Sequence, residues 1–327
     1  MEKYVTLDDY REMWRKMQDI LKTSGTGGST RAHCVVDGIQ LPPGIDGVVA
    51  DLKTFGVRDD DVWVVTYPKA GTTWVQEIVS CVMHDGDLEA VNKIHTAFRV
   101  PFLEFSLPEP IRRMKNLPPT HKVVEEVPSP RVIKSHLPPK LLPPELFQKK
   151  PKIVYVIRNP KDLTVSFYHF SKMVNTSPES LAEPFEKFFE QTMIGNVNYG
   201  PWWDHYLYFW KRRHDPNILL LRFEDMKKDL RGTVEKVSQF LGKNLAAEKL
   251  DAVTEHCTFA NMKKNPMANQ DSLFTRPVDL PTGDKVSFMR KGKVGDWKSH
   301  FTVAQNEAMD ALIKEKLHGT GLTFDYD

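Results

Sequence analysis

Four short apolar runs constrain the fold of this chain more than any other feature of it. Residues 62–65, 132–134, 153–157 and 218–221 are brief, β-branched or aliphatic and almost uncharged, the signature of strands buried on both faces. Longer amphipathic stretches at 72–83, 162–172, 181–193, 202–213 and 230–241 separate and follow them, each with apolar residues at helical spacing. Strand alternating with helix predicts an α/β fold, with a central, mainly parallel sheet flanked by helices.

The chain ahead of this pattern reads differently. Tyr4, Leu7, Tyr10, Met17 and Leu21 recur at helical spacing, and Thr6 with Asp9 resembles a capping box, which predicts a helix over 6–22. The run TSGTGGST at 23–30 reads as a flexible linker. Residues 1–36 are therefore expected to be an N-terminal extension, and residues 37–327 a single domain without internal repeats.

Composition narrows the function classes. With 40% hydrophobic and 27% charged residues the chain is globular rather than disordered. Its 45 Lys and Arg nearly balance its 43 Asp and Glu, so no global field draws it to nucleic acid or an anionic membrane. Cys34, Cys81 and Cys257 are too scattered for a disulfide framework or a zinc site, and no metal is expected. The N-terminus is broken by charges and lacks an apolar signal core, and no stretch has the roughly 18 apolar residues of a spanning helix. A soluble, cytoplasmic protein is expected.

Basic chemistry must then be local, and four segments carry it. In DVWVVTYPKAGTTW, residues 61–74, a strand runs through a small-residue turn into a helix. Ligands of open α/β sheets bind at such carboxyl ends, and a helix N-terminus offers unpaired N–H groups to an anion. Lys69, Gly71, Thr72 and Thr73 form this cradle, with a cation, a close backbone approach and two hydroxyls. It is not a Walker A loop, because its lysine precedes the glycine. In RVIKSHLP, residues 131–138, alternation puts Lys134 and His136 on one face of an extended segment, a cation beside a titratable base. In VIRNPKDLTVSFYHF, residues 156–170, Arg158 and Ser166 flank a turn from which both could reach one anion; a surface ion pair is the alternative for the arginine. In FMRKGKVGDWK, residues 288–298, Phe288 and Met289 precede Arg290, Lys291 and the close-approach residue Gly292.

In order and spacing these four motifs resemble the cytosolic sulfotransferases, from about residue 45 to the C-terminus. The resemblance implies a P-loop-NTPase-like fold and sulfuryl transfer from 3′-phosphoadenosine 5′-phosphosulfate (PAPS) to a hydroxyl or amine, without a metal. It assigns the 5′-phosphosulfate loop to residues 69–74, the catalytic base to His136, a second active-site lysine to Lys134, and the 3′-phosphate contacts to Arg158, Ser166, Arg290, Lys291 and Gly292. The catalytic set is thus His136, Lys69, Lys134 and Ser166. On the adenine side it places Trp74, Phe223 and the segment 256–262 with Cys257, Thr258, Phe259 and Met262, together with Phe288 and Met289. Three positions depart from the family pattern by losing or exchanging a hydroxyl: Ala70 for Ser, Phe223 for Tyr and Cys257 for Thr.

RVPFLEF, residues 99–105, resembles the acceptor segment of phenol-sulfating members, so Phe102, Phe105 and Phe170 would wall a flat slot beside Lys134 and His136. The same rings would serve equally as core aromatics. The stretch 107–130, rich in Pro and charge, would rim it. KSHFTVAQNE, residues 298–307, resembles the family's dimerisation motif through Lys298, Thr302, Val303 and Glu307, and implies a homodimer. Two rivals stay open: a Mg²⁺-dependent phosphotransferase on the same scaffold, and a non-catalytic nucleotide-binding protein.

Overall fold

A computed structural model describes residues 34–105, 118–174, 182–271 and 287–327. The helix expected over 6–22, the linker at 23–30 and part of the rim at 107–130 lie outside the described residues. A hairpin of β1 (Cys34–Val36) and β2 (Ile39–Leu41) comes first. Its turn is Asp37-Gly38, both at positive φ (49° and 77°), the pairing that two-residue hairpin turns favour.

The four apolar runs become β3 (Val62–Thr66), β4 (Val132–Ser135), β5 (Lys152–Ile157) and β6 (Ile218–Arg222), in the order β4-β3-β5-β6 with every pair parallel. β3 feeds α1 (Thr72–Met83), β5 feeds α2 (Pro160–Val174), and α3 (Phe185–Met193) and α4 (Trp202–Lys211) lead back to β6. α5 (Leu230–Phe240), α6 (Ala247–His256) and α7 (Val303–Leu317) complete the main helices, with shorter ones between. The helices expected from residue 72 onward are present among the described residues. α3 starts later than the predicted 181 because Pro184 stands at its N-cap in extended conformation, where a proline suits a helix entry but not its interior.

Strand alternation divides the core in two. Trp63, Val65, Ile133, Ile153, Tyr155 and Ile157 pack with Trp202, Tyr206 and Phe209 of α4. On the opposite face Val62, Val64, Val132, Val154 and Val156 pack with Val75, Ile78 and Val79 of α1, Val234 of α5 and Val253 of α6. Both faces are covered, which is why the strands read as continuous apolar runs.

The register positions the site. Val65 pairs with both Ser135 and Tyr155, Thr66 with Val156, and Ile157 with Arg222, so Tyr67, His136, Arg158 and Phe223 all leave the sheet along its carboxyl edge. The chain steps from β3 to β4 on one side, then crosses to β5 on the other. The carboxyl end of β3 is thus the point of reversal where open α/β sheets place ligands.

The amino edge is held by a buried ion pair. Arg131 donates to Asp61 through Nε (2.7 Å) and Nη2 (2.6 Å), and through Nη2 to the Gly56 carbonyl (2.8 Å). Removing one partner strands the other charge in the interior, so Arg131→Ala should destabilise the fold by about 3–5 kcal/mol. Urea denaturation reads this as a lower midpoint at unchanged slope. A loss below about 1 kcal/mol would mean that the pair does not anchor the sheet.

Candidate active site

The turn after β3 places a cation and a row of N–H groups at the reversal point. Lys69 adopts φ 69° and Gly71 φ 119°. A Cβ on Gly71 would stand 2.9 Å from the Phe223 ring, so both the dihedral angle and the ring exclude a larger residue. Ala70 is buried and closes the turn with its N–H on the Tyr67 carbonyl (3.2 Å). Gly71 caps α1 without a side-chain cap, and the N–H groups of Thr72 and Thr73 meet no acceptor among the described residues. They remain available to an anion.

His136 follows β4 directly. Its Nδ1 lies 2.8 Å from the Thr66 carbonyl and 3.1 Å from the Thr66 hydroxyl, which in turn meets the Thr72 hydroxyl at 2.7 Å. A carbonyl only accepts, so Nδ1 carries the proton and donates, and Nε2 keeps its lone pair. Burial holds the imidazole well below its ordinary pKa, Lys134 pushes it the same way, and the Thr66 hydrogen bond opposes only in part. His136 is therefore neutral, with Nε2 as its basic atom. The Phe102 ring meets it edge-on at 5.0 Å and Tyr199 at 5.7 Å.

Three cations converge around this imidazole, none of them paired with a carboxylate among the described residues. Burial, then Arg158, Lys134 and Arg290, bring Lys69 down to about 7. Burial brings Lys134 down to about 8, against a raising pull from Glu104. Arg158 is buried; its Nη1 and Nη2 donate to the carbonyls of Lys69 (3.3 Å) and Lys293 (3.1 Å), and its Nε has no partner among the described residues. The surface ion pair considered for Arg158 is not what forms. Aromatic faces stand in for acids: Lys69 Nζ lies 4.4 Å from the Phe170 centroid and 4.1 Å from that of Phe288, Lys134 Nζ 4.2 Å from Phe102, and the Arg158 guanidinium 4.3 Å from Phe223.

The fourth motif closes over the third. Asp162 accepts the N–H groups of Gly295 (2.8 Å) and Trp297 (2.9 Å), holding the basic loop against α2. Arg290 and Lys291 both pair with Asp296, at 2.5 and 2.6 Å. Gly292 sits at φ 59°, and a Cβ there would come within 2.3 Å of the Phe259 ring. Ser166, half-buried on α2, makes no hydrogen bond among the described residues.

Phe223 and Trp74 meet edge-on at 5.5 Å, and the Trp74 indole N–H donates to the Cys257 carbonyl (2.7 Å). The side chains of Cys257 and Met262 face the core and are closed to solvent, packed in the cluster that Trp74 also joins. Met289 also packs toward that core. The Thr258 hydroxyl caps the following helix, leaving Phe259 as the half-exposed ring of its segment. Phe102 and Phe105 stack at 6.2 Å, and Phe170 meets Phe288 edge-on at 5.9 Å. Phe170 and Phe288, assigned to opposite substrates, thus share Lys69.

The dimerisation motif forms a loop and a helix start. Lys298 pairs with Asp327, Thr302 makes a capping box with Gln305 at the start of α7, Val303 is 76% exposed, and Glu307 is exposed. Sequence reading missed Thr66, Glu104, Asp162, Tyr199 and Asp296. Of these, Tyr199 had a local signal, since it stands between Asn198 and Gly200 in a turn. One further group of ligand-type side chains, Glu77, Cys81 and His256, gathers among the described residues. Glu77 already holds Arg99 (2.8 and 3.0 Å) and His256 (2.7 Å), so protein cations meet its charge.

The sulfotransferase domain model matches residues 59–321, taking in all four motifs. Sulfotransferase 1A1 of Canis lupus familiaris is 40% identical over 289 residues, covering 88% of this chain and 94% of the relative. Sulfotransferase 1B1 of the same species is 42% identical over 84% and 89%, and Sulfotransferase 1C2 of Homo sapiens 38% over 88% and 94%. Among solved structures, retinol dehydratase in complex with androsterone and inactive cofactor PAP superposes with TM-score 0.77 at 27% identity, over 90% of this chain and 92% of that one. Mouse sulfotransferase SULT7A1 complexed with PAP gives 0.68 at 28%, over 88% and 94%. The family model and the near full-length relatives agree with the motifs and with the parallel sheet beneath them, and the chain belongs to the cytosolic sulfotransferase family.

Proposed function

We propose that this enzyme transfers the sulfuryl group of PAPS to the hydroxyl, or amine, of a small apolar or aromatic acceptor by in-line displacement, with His136 as general base. The observation that carries this reading is the hydrogen bond from His136 Nδ1 to the Thr66 carbonyl, which leaves Nε2 free to take the acceptor's proton. Lys69 and Lys134 supply the positive charge for the transferring group and the departing phosphate. A sulfuryl group carries less charge than a γ-phosphoryl, so lysines suffice where kinases use Mg²⁺. Arg158 fits the 3′-phosphate, being buried and, among the described residues, without a paired acid and with an unpartnered Nε; Ser166 offers a hydroxyl with no partner among those residues, and Arg290, Lys291 and Gly292 would reach the same group once Asp296 releases its pair. Trp74, Phe223 and Phe259 would hold the adenine, mainly by stacking. Retinol dehydratase has been solved with androsterone and with retinol, which supports an apolar acceptor slot along Phe102, Phe105 and Phe170.

The deciding experiment is a sulfation screen with labelled PAPS across phenols, steroids, alcohols and amines, with and without EDTA. Transfer should proceed with EDTA present; activity that needs a divalent ion and ATP would favour a phosphotransferase, and PAP binding without any transfer a non-catalytic protein. In the same screen His136→Ala should lower turnover about 10²–10⁴-fold, or about 3–5 kcal/mol, and near-normal turnover would sink the base assignment.

A second consequence concerns protons. Lys69 is lowered to about 7, first by burial and then by its cationic neighbours, and a bound dianion reverses the cationic share. Binding adenosine 3′,5′-bisphosphate at pH about 8 should therefore take up about one proton, and affinity should fall as pH rises above that of the free lysine. Calorimetry in buffers of different ionisation enthalpy measures this; equal heats in all buffers would contradict it.

The chain is read as cytoplasmic, and as a homodimer through Lys298, Thr302, Val303 and Glu307. Exposure of Val303 supports the second part. Such a patch is smaller than the roughly 1,200 Å² of a standard interface, so Val303→Glu should yield a monomer in sedimentation while leaving turnover intact. A wild-type chain already monomeric at micromolar concentration would refute the dimer.

A further inference from the structure

Glu104 lies two residues beyond Phe102 on a short segment that the sheet captures. Phe102 bridges Lys134 in parallel, with the Lys134 N–H on the Pro101 carbonyl (2.9 Å) and the Leu103 N–H on the Lys134 carbonyl (2.8 Å). Phe102 and Glu104 therefore share a face by alternation, as Lys134 and His136 do on β4. The two pairs meet: Phe102 touches the Lys134 ammonium and the His136 ring, and Glu104 Oε1 accepts the His136 backbone N–H at 2.6 Å. The carboxyl is fully buried, and its Oε2 has no hydrogen-bond partner among the described residues.

A buried carboxyl is costly to keep beside apolar rings unless it does something there. Besides the Ser135 hydroxyl, which favours its charged form, it has two neighbours that bear on the site's chemistry. The first is the peptide group on which the His136 imidazole is mounted. The second is Lys134, for which Glu104 provides the attraction that opposes burial. Among the described residues no other carboxylate contributes to the environment of Lys69, Lys134 or His136; Lys69 feels Arg158, Lys134 and Arg290, and His136 feels Lys134, His205 of α4 and Lys69. Tyr199, from the turn before α4, also faces Glu104.

We propose that Glu104 is a positioning residue for sulfuryl transfer: through Oε1 it fixes the peptide that presents His136 to the acceptor, and through its charge it keeps Lys134 protonated at the transferring group. The proposal rests on His136 as the base. Burial raises Glu104 to about 7 while the His136 N–H, its own N–H, the Ser135 hydroxyl and, least, Lys134 hold it back, so this carboxyl and the Lys134 ammonium, lowered to about 8, both titrate near neutral pH.

Glu104→Gln separates the two roles, since its amide oxygen still accepts the His136 N–H but carries no charge. The Lys134 ammonium, followed by NMR of enzyme labelled with ¹⁵N at the lysine ε-position, should then titrate at lower pH than in wild type. With 2-naphthol as acceptor, kcat should fall about tenfold, its alkaline limb should move to lower pH, and KM for PAPS should stay within about twofold. Glu104→Ala removes both roles and should lower kcat by a further factor of about ten. An unmoved Lys134 titration in the Gln variant overturns the charge role, and equal kcat in the Gln and Ala variants overturns the hold on His136. His136→Ala in parallel distinguishes the premise: if that variant keeps its activity while the Lys134 titration still moves in Glu104→Gln, the base assignment fails and the electrostatic role of Glu104 stands.

Discussion

Unneutralised positive charge at the carboxyl edge of the sheet is the constraint to which the rest of the site is fitted. Lys69, Lys134 and Arg158 are drawn together at the ends of three adjacent strands, each with a pKa pushed below its ordinary value mainly by burial. Charge in a low-dielectric interior is unfavourable unless paired. Pairing with protein carboxylates would stabilise the empty enzyme and also fill the site. The fold instead gives each cation an aromatic face or a backbone carbonyl, weaker partners that an incoming anion can outcompete.

Most acids near the site fix the turns and loops that carry it. Glu224 accepts the Asn159 N–H (2.8 Å) and side-chain amide (3.0 Å), fixing the turn after Arg158. Asp162 clamps the loop at Gly295 and Trp297, and Glu104 clamps His136. Asp296 is the exception, since it holds Arg290 and Lys291 directly. That pair of cations is more exposed, so its ion pairs are weak and readily exchanged. The interior cations thus have no carboxylate paired with them among the described residues, while the more exposed Arg290 and Lys291 share one.

Much of this was legible in the chain because the site grows from strand ends. Runs of β-branched residues announce the sheet, and Tyr67-Pro68, Asn159-Pro160 and Gly71 mark where each strand gives way to the segment bearing a functional group. What was hidden comes from contacts distant in sequence. Nothing local in Asp162 says that it will bind the backbone at Gly295, and nothing in RVPFLEF separates Glu104 from an ordinary surface acid until Phe102 is seen pairing with Lys134. For Cys257 and Met262 the motif identifies the segment, whereas the fold turns both side chains toward the core.

The three departures from the family pattern fall into place in the same terms. Cys257 turns its thiol inward and offers only its carbonyl, which any residue there would supply to Trp74. Ala70 is buried, with no room opened toward the cleft. Phe223 matters most, because its ring touches three parts of the site: it lies under the Arg158 guanidinium, edge-on to Trp74, and against Gly71 so closely that a Cβ there would collide. A hydroxyl at the tip of that ring is dispensable for all three contacts, whereas the ring itself is not. Loss of the hydroxyl therefore leaves intact the seat of the Arg158 guanidinium and the contact with Trp74.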